Sequence, residues 1–175
     1  MASNAPTLAQ VAALLRATAV TLRAELGALD RAVLSWHPAE GEWCVNEVLG
    51  HIIEAEGRGF SGQIARIVAE PGRELPSWDP GAVARERRDC DRDGLGLLDE
   101  LERLRTDSVR VIEGLEPAQL VLSGRHPLVG ELRVSDVVHE FVHHDRNHVK
   151  QILSNVQAFV WPHMGAAQRF SEIDR

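Results

Sequence analysis

The 175-residue sequence predicts an all-α fold, a four-helix bundle with a long crossover between its second and third helices. Three observations lead there. Four stretches repeat apolar residues at three- and four-residue steps, and no stretch alternates as a half-buried strand does. A Pro- and Gly-rich link separates the second and third stretches and is long enough to run the length of a bundle. The chain length also suits one domain spanning 1–175, able to bury roughly 70 % of its unfolded surface without a disulfide staple.

The first helix is expected over about 7–29, with Leu8, Val11, Leu15, Leu22, Leu26 and Leu29 on one stripe and Pro6-Thr7 at its start. A short turn, SWHPAEGEW, leads to the second helix, about 45–69, which ends at Pro71-Gly72. Glu47 sits at the third position of a capping box whose cap is Cys44, a poor substitute for Ser. The link PGRELPSWDPGAVARERRDC follows. Helix three covers about 95–115 through Leu98, Leu101, Leu104, Val109 and Ile112. Helix four covers about 134–159, with Asp136 in the first turn, where a negative charge suits the helix dipole. Residues 160–175 read as a packed tail.

Composition excludes several partners. A formal charge of -7 speaks against nucleic acid, because phosphate binding needs clustered Lys and Arg. The densest basic stretch, Arg85 to Arg92, is diluted by Glu86, Asp89 and Asp91. Tyr is absent and aromatic residues are few, which leaves little for base stacking. No run of eighteen apolar residues exists to span a membrane. The opening MASNAPTLAQ lacks a basic n-region and an apolar h-region, so a cytoplasmic location is expected, with Cys44 and Cys90 as reduced thiols.

The chemistry lies in the histidines. Eight are present, and helix four offers two pairs at i,i+4 spacing. His139 and His143 form HEFVH, the HExxH pattern of zinc proteases. His144 and His148 form HDRNH. Both pairs are able to chelate one ion. The apolar stripe chooses between them. At about 100° per residue, Val137, Phe141, His148 and Ile152 share a narrow arc, and His144 lies roughly 40° from His148. His143 is about 140° away and His139 is opposite, so the HExxH pair is expected at the surface. His51, among Val48, Leu49, Ile52 and Ile53 of helix two, supplies a third inward-capable imidazole. Three nitrogens from two helices would make a metal site with open positions. His37, His126 and His163 each adjoin proline and read as structural. Glu54 and Asp145, the acids nearest these ligands, read as exposed helical acids, although each is near enough to orient an imidazole. Cys44, seven residues before His51 and about 10 Å away along the axis, is too far to share its coordination shell.

GEWCVNEVLGHIIEAE and EFVHHDRNHVKQI, together with SWHP and RHPLVGEL, resemble in order the conserved segments of the DinB/YfiT-like proteins. That resemblance implies a four-helix bundle with an uncommon order of up and down helices, and a metal triad on His51, His144 and His148. Nitrogen ligands suit a divalent transition metal, and zinc or nickel is expected foremost. The expected function is a metal-dependent enzyme of the thiol S-transferase or isomerase type. Its expected partner is a small-molecule substrate, a low-molecular-weight thiol, and the chain is expected to pair as a homodimer. The rival readings are a non-catalytic metal-binding stress-response protein and a zinc protease using His139, Glu140 and His143.

Overall fold

The computed structural model describes residues 5–173. Four long helical segments form the body: α1 (Leu8–Leu26), then after the short α2 (Arg31–Leu34) a second segment made of α3 (Val45–Ala55), a π turn (Glu56–Phe60) and α4 (Ser61–Ala69). The link carries α5 (Pro80–Arg87), and α6 (Gly94–Glu113) and α7 (Val134–Val160) complete the bundle. Short 3₁₀ turns and α8 (Phe170–Ile173) follow. No helix among the described residues is long and apolar enough to cross a membrane.

Local chemistry accounts for the helix ends. Thr7 accepts a hydrogen bond from the Gln10 N–H, and the Gln10 side chain accepts from the Thr7 N–H, a reciprocal cap. Glu47 accepts from the Cys44 N–H and Asp136 from the Arg133 N–H, so both non-standard cap positions keep one half of the box. The first helix stops at Leu26, three residues short of its expected end, because Gly27 and the Asp30 cap of α2 redirect the chain.

Two features depart from the expectations. A small antiparallel hairpin, β1 (Ser123–His126) with β2 (Gly130–Arg133), sits between α6 and α7. Four-residue strands are too short to display alternation. Residues 73 and 75 of the link bond to Arg125 and so tie the link to this hairpin. The second departure is covalent: Cys44 and Cys90 form a disulfide, not two reduced thiols. Folding lays the 3₁₀ turn Asp89–Asp91 against the start of α3, an approach that spacing along the chain does not reveal.

Side-chain pairings give the helix directions. Arg16 pairs with Glu113 and Arg23 with Asp99, so α1 and α6 run antiparallel. Asn46 donates to the Arg92 carbonyl and Arg105 pairs with Glu56, so the second segment and α6 run parallel. Asn155 donates to the Trp43 carbonyl and Phe60 stacks on Phe141 at 4.2 Å, so α7 returns antiparallel to the second segment. The order is up, down, down, up. Parallel neighbours need a connection as long as the helices themselves, which explains the link of residues 70–93.

The core divides into two apolar clusters along the axis. One gathers Val11, Leu15, Ile64, Ile67, Val109, Ile112 and Phe141. The other gathers Leu22, Leu26, Leu49, Ile52, Leu97, Leu101 and Ile152. Near the disulfide, Gly50 faces the buried Asp89 carboxylate, which is held by Arg87 and Arg92. A Cβ at position 50 would stand 1.8 Å from Asp89 Oδ2. Gly50→Ala is therefore expected to destabilise the fold by about 2 kcal/mol through overpacking, read as a lower urea midpoint.

Candidate metal centre

Helix periodicity delivers the site. On α7, positions 144 and 148 stand one turn apart and partly buried, while His139, Glu140 and His143 are exposed. His143 keeps company with Glu140 and Asn147, and no histidine of another helix joins them in a ligand cluster among the described residues. The stripe thus separates the two pairs as the helical wheel requires. From the second segment, His51 reaches across to α7. Its Nε2 lies 2.9 Å from His144 Nε2. Ring centroids are 4.5 Å apart for His51 and His148 and 4.4 Å for His144 and His148. One nitrogen from each of the three falls within 4.8 Å of the others.

The surroundings make these rings neutral. Burial pushes His51 down to about 4 and His144 down to about 3 from an ordinary 6.5, and neighbouring imidazoles add to both effects. Burial lowers His148 as well. Its Nδ1 pairs with Gln151 Oε1 at 2.9 Å, which leaves Nε2 with a bare lone pair. The buried Nδ1 atoms of His51 and His144 have no hydrogen-bond partner among the described residues. Each of those rings therefore spends its polar capacity at Nε2, toward the other. Three neutral imidazoles facing one another suit a divalent transition metal. Aromatic rings wall the site: Trp78 stacks on His51 at 5.5 Å, Trp43 lies 5.2 Å from it, and Phe60 meets His144 edge-on at 5.0 Å. Phe60 ends the π turn, a helix irregularity often found beside functional sites.

Behind the histidines lies an ionic network absent from the sequence reading. Arg105 of α6, 2 % exposed, forks onto both oxygens of Asp145 at 2.5 and 3.0 Å. It also donates to Glu56 at 2.6 Å and to the Leu15 carbonyl at 2.7 Å. Asp145 is fully buried, and Glu54 is 18 % exposed and paired with Arg58 and Arg87, so neither is the exposed acid the sequence suggested. Both are committed to arginines, and neither orients an imidazole. A signal existed in the sequence: Arg105 falls on the apolar stripe of its helix, between Leu101 and Val109.

Depressed imidazole pKa values give a pH prediction. Below 6.5 the unfolded chain binds protons that the folded rings refuse, so stability falls as pH drops from about 6.5 toward 3. Chelator-treated protein is expected to have a lower unfolding free energy in urea titrations at pH 5 than at pH 7, by on the order of 2 kcal/mol. His144→Ala should shrink that difference, and an unchanged difference would refute the assignment.

Fold and site together define a four-helix bundle with a partly buried cluster of three neutral histidines between its second and fourth helical segments. The model of the DinB superfamily matches residues 9–152, and the chain belongs to that superfamily. YfiT from Bacillus subtilis, described as a probable metal-dependent hydrolase with an unusual four-helix bundle topology, superposes with a TM-score of 0.80 at 16 % identity, covering 92 % of this chain and 94 % of YfiT. TT2238, described as a four-helix bundle protein, gives a TM-score of 0.59 at 22 % identity, covering 85 % and 99 %. No curated protein sequence matches the chain.

Proposed function

We propose that His51, His144 and His148 hold one divalent transition metal, zinc or nickel, and that the protein is a metal-dependent enzyme acting on a low-molecular-weight thiol. The observation that carries this reading is the convergence of three proton-poor imidazoles with no carboxylate among them. A divalent ion held by neutral ligands keeps its full charge and supplies Lewis acidity, lowering the pKa of a thiol or water that reaches it. The chain's own residues do the rest. Gln151 fixes the tautomer and orientation of His148. Trp43, Trp78 and Phe60 shield the imidazoles and offer apolar surface to a substrate's carbon skeleton. Asp145, neutralised by Arg105, places its helix turn without adding charge to the site.

Metal-loaded protein is to be assayed with a panel of small thiols and electrophiles beside its His148→Ala variant. Thiol-dependent turnover that the variant lacks supports the proposal, and equal rates from both would end it. A second reading, hydrolysis, is favoured by the likeness to YfiT. Metal-dependent cleavage of esters or amides with no thiol present would select it.

A further inference from the structure

A second group of side chains of metal-ligating type gathers near Cys44, seven residues before His51: His37, Cys44, Glu47 and Cys90. One donor atom from each falls within 4.8 Å of all the others. We infer that Cys44, Cys90 and His37, completed by Glu47, form a thiolate zinc site that exists only when the disulfide is reduced.

Three observations support it. First, His37 Nδ1 lies 2.7 Å from the Glu42 carbonyl, so this nitrogen carries the proton and donates. That leaves Nε2 as a bare lone pair, 3.3 Å from Cys90 Sγ. A disulfide sulfur has no proton to give, so in the oxidised chain this contact is not a hydrogen bond. The imidazole is held as zinc-bound histidines are held, by a backbone carbonyl on the far nitrogen, yet nothing here uses its lone pair. Second, the cysteine Cα atoms are 6.6 Å apart, near the wide end of the disulfide range. Zinc–sulfur bonds of about 2.3 Å place two thiolates about 3.8 Å apart in a tetrahedron, a separation the same backbone accommodates by side-chain rotation. Third, Glu47 sits beside both: its Oε2 accepts from the Cys44 N–H at 2.9 Å and lies 3.7 Å from the protonated Nδ1 of His37, and one carboxylate oxygen falls within 4.8 Å of both sulfurs. Two soft sulfurs, one imidazole and one carboxylate form a donor set that suits zinc, and it differs from the three-nitrogen set on α3 and α7.

Access fits the scheme. Cys44 is fully buried, whereas Cys90 is half-buried beside the exposed His37, so a small thiol reaches the Cys90 sulfur. Two equivalents of a low-molecular-weight thiol deliver two electrons and two protons to the disulfide, giving two cysteine thiols and one small-molecule disulfide. Zinc then displaces both thiol protons and binds the two thiolates. Oxidation by a disulfide of the same class reverses the sequence, releasing the ion. The site thus couples metal occupancy to the thiol pool.

Cobalt(II) tests this without reference to activity, because only cysteine ligands give thiolate-to-cobalt charge transfer. The full chain is titrated with cobalt(II) before and after reduction by a phosphine, then back-titrated with zinc(II). The reduced His144→Ala protein should develop the charge-transfer band, saturating at one equivalent and bleached by zinc; the reduced parent, whose histidine triad also takes up cobalt, should reach the same band within two equivalents, and the oxidised protein should show none. Cys90→Ser should abolish the band, and His37→Ala, at an exposed position that leaves the fold intact, should weaken cobalt binding at least tenfold. His144→Ala should leave the band in place, which separates this site from the histidine triad. A reduced protein without the band, a band that His37→Ala leaves unaltered in affinity, or loss of helical circular dichroism on reduction would each overturn the inference. The last outcome would mark the disulfide as a structural staple.

Discussion

Arg105→Ala is expected to remove about 3–5 kcal/mol of stability, a large share of the 5–15 kcal/mol typical of a domain. The side chain is 2 % exposed and is the cation that compensates two buried acids, Asp145 and Glu56. Truncation strips both carboxylates of their partner, frees the Leu15 carbonyl, and removes the guanidinium that lies 5.0 Å from the Phe141 ring centre. An unpaired buried charge is far more expensive than the pair itself is worth. The two acids are unequal. Arg105 meets only one oxygen of Glu56 but both oxygens of Asp145, and burial holds Glu56 above the ordinary carboxylate range despite Arg105, so Glu56→Gln should cost distinctly less than Asp145→Asn, which breaks the forked pair. Urea unfolding of the three variants ranks them. Arg105→Ala within about 1 kcal/mol of the parent would show that the network contributes nothing special.

The largest effect on metal content is expected from His148→Ala. Losing one of three nitrogen donors should weaken zinc or nickel binding by at least about 100-fold, more than the 10–100-fold typical of an outer-shell partner. His51→Ala and His144→Ala should match it, and Gln151→Ala, which removes only the partner of His148 Nδ1, should fall in the outer-shell range. His139→Ala and His143→Ala should leave binding intact, since both side chains face solvent. Elemental analysis after dialysis, with circular dichroism to confirm folding, reads all six. Loss of metal from the His139 variant with retention in the His144 variant would revive the protease-like pair.

Much of this was legible in the residues. The four helices follow from apolar spacing and the first helix start from Thr7, whereas Gly27 and the Asp30 cap end that helix three residues before its expected end. The wheel of α7 alone separates His144 and His148 from His139 and His143. Proline and glycine in the second link foretold a crossover. The hairpin escaped because its strands show no alternation over four residues, and the π turn escaped because Ile53, Phe60, Ile64 and Ile67 keep a helical register across EGRGF. Gly62 packs against the Gly57 carbonyl so closely that a Cβ would stand 1.8 Å away, a constraint no periodicity displays.

The sequence by itself determined which apolar residues and which helix-four histidines face inward, because a helix turns about 100° per residue and burial of apolar surface selects one side. Only the tertiary structure decided which inward groups meet. Arg105 with Asp145 and Glu56, Cys44 with Cys90, and His51 with His144 are contacts across 40, 49, 46 and 93 residues, set by the parallel placement of the second segment beside α6 and the return of α7. Local propensity acts within a few turns, whereas such partners are chosen by how whole helices pack.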